Sequence, residues 1–315
     1  MAITEIQPLE VSAPAFQMLS TKLGIQDYLE LSTANNTRRA YRSDIRHFET
    51  WGGQLPTRPE IVLEYIRSFA EILNPRTIER RLTAIKQWHV YQKFPDPTDN
   101  PLIKKMILGI RRIHGSPKKK APALSLEQIE AMVLFLKQTA CSELNPAQAQ
   151  AIRNNALIQI GFFGAFRRSE LVAIEYEHLT WVEQGLEILI PRSKTDAFGQ
   201  GSICAIPYGK APLCAVSALK AWLEYSEIKT GPVFKLNDKS ISDIIKRLAK
   251  AINLPHWEEY SGHSLRRGLA TAAARAGGSL MSIMNQGRWK NTQTVLGYIQ
   301  EASKFDENVV NTFFS

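Results

Sequence analysis

The stretch His114-Gly-Ser-Pro-Lys-Lys-Lys-Ala-Pro122 limits the fold more than any other part of the chain. Proline fixes φ and has no N–H to donate, and glycine is costly inside a helix, so no regular element runs through these residues. The helical patterns on either side therefore belong to separate bodies. With 315 residues in all, each side has enough chain for its own core. The reading divides the chain into a tail at 1–20, a helical domain at 21–113, a basic linker at 114–124, a second domain at 125–300 and a tail at 301–315.

Before the linker the apolar period is helical throughout. Residues 1–18 carry Pro8 and Pro14 without a period, and Thr21 to Leu31 suits a short helix. Thr37 is placed to cap a helix that turns Tyr41, Ile45 and Phe48 inward, and Gly52-Gly53 ends it. Pro59 opens a second helix, with Ile61, Tyr65 and Phe69 inward. Asn74-Pro75, a cap followed by proline at the first helical position, opens a third with Ile78, Leu82, Ile85 and Trp88 inward. A fourth runs from Pro101 to Ile113.

This half also holds the charge. The formal net charge is +9, yet residues 35–120 alone carry 18 Lys and Arg against 8 Asp and Glu, so the rest is close to neutral. A local basic excess is the electrostatic footprint of a nucleic-acid partner. Arg38, Arg42 and Arg46 recur every four residues on one face. Like charges at that spacing repel unless an anion neutralises them, so the stripe is either solvated surface or a phosphate-tracking face. Arg76, Arg80 and Lys86 on the third helix, and Lys118, Lys119 and Lys120 in the linker, are the other candidates for DNA contact. A basic strap between two domains suits wrapping a duplex.

After the linker, Ser125-Leu-Glu-Gln128 reads as a capping box. Helices are expected at 125–139 and 147–163. Gly164-Ala-Phe-Arg-Arg-Ser-Glu-Leu171 breaks the chain, and Ser169 is placed to cap a helix at 169–177. Leu186, Ile188 and Ile190 alternate in a strand at 185–191. A second strand lies at 202–207, with a hairpin loop between them. Helices follow at 212–226, 240–252, 264–276, 279–286 and 292–299. The expected fold class is mainly α in two domains, all-helical in the first and helical with a small antiparallel β-sheet in the second.

Other classes find little support. Cys141, Cys204 and Cys214 are too few and scattered for a disulfide framework or a zinc site. No stretch approaches the ~20 apolar residues of a membrane span, and the first residues lack the pattern of a secretion signal. The expectation is a cytoplasmic, nucleoid-associated protein without membrane contact, metal or cofactor.

The chemistry gathers late in the chain. His263 and Arg266 stand one helical turn apart, so both can grip one small anion, and Tyr298 lies downstream of them. Cutting a phosphodiester without a metal needs a nucleophile, cationic donors for the non-bridging oxygens, an acid for the departing oxygen and a rigid frame. Arginine suits the second task because its planar fork matches a phosphate. The set Arg167, Glu170, Lys194, His263, Arg266, Trp289 and Tyr298 resembles, in order and spacing, the tyrosine recombinase (phage integrase) family, and residues 262–300 are similar to its Cre-like members. The resemblance implies a DNA core-binding domain at 21–113 and a catalytic domain at 125–300.

It implies in turn a role for each residue. Arg167 and Arg266 would bind the scissile phosphate, and Lys194 on the β-hairpin would be the general acid. His263 would assist Tyr298, the nucleophile. Trp289 would pack and donate its indole N–H, and Glu170 would orient the cations. The product would be a covalent 3′-phosphotyrosyl bond. The partners would be double-stranded DNA with a specific recombination site and three further copies of the chain in a homo-tetramer, with strands exchanged through a Holliday junction. Val309, Val310, Phe313 and Phe314 would form an apolar stripe for docking on a neighbouring subunit. Two other readings use the same residues. A type IB topoisomerase relaxes DNA without a specific site, and a catalytically silent DNA-binding regulator forms no covalent bond.

Overall fold

The computed structural model describes residues 33–117, 119–142, 144–191, 201–303 and 309–313. The expected tail at 1–20, the Thr21–Leu31 helix, Lys118 and the hairpin loop that carries Lys194 lie outside them, as does Phe314. The chain divides into two compact units, Met1–Lys118 and Lys119–Ser315.

The first unit consists of helices α1 (Asn35–Thr50), α2 (Pro59–Phe69), α3 (Pro75–Tyr91) and α4 (Pro101–His114). Phe48, Tyr65, Ile66, Ile78, Ile85 and Ile103 form the centre of one apolar core, to which all four helices contribute. Local chemistry starts two of these helices. The Asn74 side chain accepts the Arg76 N–H at 3.0 Å and the Asn100 side chain the Leu102 N–H at 2.8 Å, each with proline at the next position. Gly53 sits against the Phe48 ring, where an added Cβ would overlap the ring carbons, so only glycine lets the chain turn there. His89 is fully buried. It accepts the Thr57 N–H on Nε2 at 2.9 Å, and its Nδ1–H donates to the Ile85 carbonyl at 2.8 Å, which pins the loop before α2 to α3.

Two details of this unit differ from the sequence reading. Helix α1 starts two residues before Thr37, with Ala34 at the cap position and no side-chain cap; Asn35 and Asn36 accept hydrogen bonds from Arg38 and Arg39. On α2 the buried face is Val62, Tyr65 and Ile66, and Ile61 is exposed. The helix begins at Pro59, and Tyr65 and Phe69 face the core as expected; Val62 and Ile66 take the place foreseen for Ile61.

The second unit packs α5 (Leu126–Ser142), α8 (Ala215–Ser226) and α10 (Gly262–Arg275) around α6 (Ala147–Phe163). The Ser125–Gln128 box closes as read: the Ser125 N–H donates to the Gln128 side chain at 3.0 Å, and the Gln128 N–H to Ser125 Oγ at 3.2 Å. A three-stranded antiparallel sheet runs in the order β1 (Leu179–Val182), β2 (Gly185–Ile190), β3 (Ser202–Pro207). Ile188 faces Cys204 and Leu186 faces Ile206 across β2 and β3, and all four point into the core. The remaining helices are α7 (Arg168–Val172), α9 (Asp238–Ala251), α11 (Leu280–Gly287) and α12 (Thr292–Ser303).

The expected helix at 169–177 stops at Val172. The chain beyond it pairs at long range instead: the Val233 N–H donates to the Ile174 carbonyl and the Tyr176 N–H to the Gly231 carbonyl. Strand β1 follows and had no counterpart in the sequence reading; it pairs with β2 through the short turn at Glu183 and Gln184. Ser169 caps nothing. Arg167 occupies the cap position, and the Glu170 carboxylate accepts its N–H at 3.0 Å.

Candidate active site

Three turns of chain converge on one cluster of the second unit. The first is the link between α6 and α7, Gly164-Ala-Phe-Arg167. Ala165 takes a left-handed conformation with φ of 47°, so the carbonyls of Gly164 and Ala165 turn away from the α6 helix to meet arginines from elsewhere. The second is the start of α10. Ser261 Oγ accepts the His263 N–H at 3.3 Å, and Ser264 Oγ accepts the Ser261 N–H at 3.0 Å. Gly268 lets α10 lie against the Leu124 carbonyl and Phe162, where a Cβ would not fit. The third is the end of α11, where Gly287 leaves room for the Trp289 ring.

Arg266, only 4% exposed, is held from both sides. Its Nη1 donates to the Ala165 carbonyl and its Nη2 to the Gly287 carbonyl. Its guanidinium lies 4.2 Å from the centre of the Trp289 ring. Burial, then the positive charges of Arg167 and Arg288, push Arg266 down to about 9, against the opposing effect of Glu170 and Tyr298. At neutral pH it is still a cation.

Glu170 is buried between two cations. Its Oε1 accepts from Arg167 Nη1 at 2.5 Å, and its Oε2 lies 3.5 Å from Arg288 Nη2. Burial raises its pKa, but the Arg167 N–H and guanidinium, helped by Arg288, outweigh that and hold the carboxyl below its usual range. The Trp289 and Tyr298 rings meet edge to face, with centroids 6.0 Å apart. Together with Ala270, Ile283 and Val295 they form a small apolar cluster that joins α10, α11 and α12.

The structure thus brings together Arg167, Glu170, Arg266, Trp289 and Tyr298. His263 is exposed at the first turn of α10, and Lys194 lies outside the described residues. The neighbours of the two arginines point elsewhere. Arg168 is exposed and donates to Ser242 Oγ at 3.2 Å. Arg267, 5% exposed, donates to the Ala121 carbonyl, pairs with Glu301 on α12 and lies 5.6 Å from the centre of the Tyr298 ring.

The sequence reading assigned no role to Arg288 or Arg267. Arg288 has φ of 53° in the left-handed turn that ends α11, a place glycine ordinarily fills. Its side chain reaches back to the carbonyls of Gln286 and Gly164 at 2.9 and 3.0 Å, and packs over the Phe166 ring at 4.8 Å. The one available signal was an arginine directly after a helix-ending glycine.

The DNA-contact candidates divide into two kinds. Arg42, Arg46 and Arg76 are exposed, and no acidic residue among the described ones pairs with them. Arg38 bonds Asn35 within its own helix. Arg80 pairs at 2.7 Å with Asp44, a buried carboxylate on the arginine-bearing helix. Burial raises the pKa of Asp44 against the pull of Arg80, Arg81 and His47. Lys86 pairs with Asp96 at 3.3 Å. In the second unit Lys119 pairs with Glu259 at 2.7 Å, and Lys120 lies 3.8 Å from Glu301. The three cysteines are free thiols, exposed at 141, buried at 204 and partly covered at 214. Among the described residues no His, Cys, Asp and Glu group is placed to hold a metal, and no helix is long and apolar enough to cross a membrane.

Buried guanidiniums lie beside a tyrosine on a mainly helical chain with a small antiparallel sheet, an arrangement with the charge to receive an anion next to a phenol. The chain belongs to the phage integrase family, the tyrosine recombinases: residues 123–304 match that family. The "Integrase/recombinase xerD homolog" of Selenomonas ruminantium is 36% identical over 310 residues, covering 91% of this chain and 88% of the relative. The "Recombinase cre" of Escherichia phage P1 is 25% identical over 272 residues, covering 78% of this chain and 76% of that protein. In fold the chain is similar to the XerH site-specific recombinase bound to a palindromic difH substrate, with a TM-score of 0.63 at 17% identity over 89% of this chain and 80% of the other.

Proposed function

We propose that this chain is a site-specific DNA recombinase that cuts and rejoins strands through Tyr298. The observation that carries the reading is the placement of Arg266: a buried cation next to Arg167, roofed by Trp289, whose ring touches that of Tyr298. In the proposed cleavage the Tyr298 oxygen bonds to phosphorus and the bond from phosphorus to the 5′ oxygen breaks. The phenol gives up its proton with help from His263, and the departing oxygen takes one from Lys194. Arg167 and Arg266 bind the non-bridging oxygens and stabilise the charge that develops on them. Glu170 orients the cations, and Trp289 packs against Arg266 and donates its indole N–H. The 3′-phosphotyrosyl bond keeps the energy of the phosphodiester, so a 5′ hydroxyl from a partner strand reverses it without ATP.

The remaining parts of the proposal are coarser. The basic first unit tracks the duplex backbone through Arg42, Arg46 and Arg76. Four copies act on two paired sites through a Holliday junction, on the DNA of the nucleoid. The tail docks on a neighbouring copy, a role supported by the exposure of Val309, Val310 and Phe313. The recombinase reading is preferred to a topoisomerase or a silent regulator because the named relatives are recombinases.

The test is a duplex nicked close to the cut, carrying a site selected from a random library with Tyr298→Phe protein. Wild type in EDTA should give a protein–DNA band that survives denaturation, and Tyr298→Phe should give none. Binding without any such band would favour the regulator.

A further inference from the structure

Three guanidiniums and one carboxylate meet in the cluster, and the third guanidinium, Arg288, comes from an unfavourable backbone position. A non-glycine residue at positive φ is disfavoured by its Cβ, so its side chain has to offset that cost. It reaches two backbone carbonyls, one carboxylate oxygen and an aromatic face, with its side chain 11% exposed. Two of those contacts, the Gly164 carbonyl and Glu170, belong to the turn that carries Arg167. Its own turn carries Trp289 and the Gly287 carbonyl that fixes Arg266.

The surroundings of Glu170 give this position a purpose. Among the described residues the buried Glu170 carboxylate faces Arg167, and Arg288 gives it a second cation. The Glu170 oxygens are shared accordingly: Oε1 faces Arg167, while Oε2 takes the Arg167 N–H and Arg288.

We propose that Arg288 is a positioning residue for strand cleavage: it takes up part of the Glu170 charge and ties the Arg167 turn to the Trp289 turn. Arg167 and Arg266 then keep their charge and their places in the cluster. This rests on the recombinase reading of the same site. Arg288 acts through Glu170 and does not touch the DNA.

The experiment is a double-mutant cycle in the full chain with Arg288→Gly, Glu170→Gln and the double variant. Each is measured for duplex binding and for the rate of covalent complex formation on the selected nicked duplex, with protein saturating. Glycine suits φ of 53°, so the turn itself is not strained by the change. Arg288→Gly should bind within about twofold of wild type and form the covalent complex about 10- to 100-fold more slowly. In the Glu170→Gln background the same change should slow it by less than about threefold, because its partner charge is gone. Arg288→Lys should recover part of the rate. An Arg288→Gly rate equal to wild type, an equal loss in both backgrounds, or lysine no better than glycine would each overturn the proposal. Absence of any Tyr298-dependent complex from wild type is a separate result, and it would overturn the recombinase reading instead.

Discussion

Arg267→Ala tests whether the structure has assigned the second arginine of the Arg266-Arg267 pair correctly. The residue is 5% exposed, and its guanidinium makes three contacts. Its bond to the Ala121 carbonyl is a charged donor on a partly buried acceptor, worth about 1.5–3 kcal/mol. Its pair with Glu301 is half in water, since that carboxylate is 50% exposed, so screening holds it to about 0.5 kcal/mol. The guanidinium over the Tyr298 ring adds about 0.5 kcal/mol. The loss should therefore be near 3 kcal/mol, lowering the melting temperature of a unit of this size by about 6–12 °C. Scanning calorimetry on the full chain reads it. Arg168→Ala is the control: that residue is exposed with one hydrogen bond, so its change should stay within about 0.5 kcal/mol. A melting temperature for Arg267→Ala within a degree of wild type, or greater damage from Arg168→Ala, would refute the reasoning.

Two further outcomes follow from the same contacts. Glu170 has a folded-state pKa below its ordinary value, so its contribution to stability is complete above the usual carboxylate range and is lost as pH falls through the folded value. Denaturant unfolding should show wild type more stable than Glu170→Gln at neutral pH, with the gap narrowing as the solution is acidified below about pH 4.5; a gap that widened would contradict it. Removal of 306–315 should leave binding to a single site within about twofold and weaken assembly on paired sites at least tenfold, read by native gel mobility; unchanged assembly would remove the tail from the docking role.

The parts of the fold that could be read in the sequence are those governed by near neighbours. Asn74-Pro75 and the Ser125–Gln128 box each start a helix through contacts within three residues, and both stand where the pattern put them. The alternation of Leu186, Ile188 and Ile190 marked β2 because one face of that strand is buried. What escaped depends on partners far along the chain. Residues 174–176 leave the helical path to pair with 231–233, and β1 exists because β2 is there to receive it. Asp44 sits on an arginine-rich helix as a buried acid because Arg80 arrives from α3.

The site shows the same division. The spacing of His263 and Arg266 is a property of one helix and was visible at once. The link from Arg288 to Glu170 spans 118 positions, and arginine in a turn suited to glycine gives no local sign of what its side chain will reach. Choosing Arg167 over Arg168 and Arg266 over Arg267 required the resemblance, since both members of each pair satisfy any charge pattern.

The central claim is that Tyr298 becomes bonded to DNA, and peptide mapping of the trapped complex tests it most directly. Trypsin cuts after Lys290 and Lys304, and the peptide 291–304 holds Tyr298 as its single tyrosine. After nuclease trimming, mass spectrometry should find the nucleotide adduct on that peptide, joined through a 3′ phosphate, with a 5′ hydroxyl on the released strand. An adduct on any other residue, or a 5′ phosphate linkage, would contradict the account.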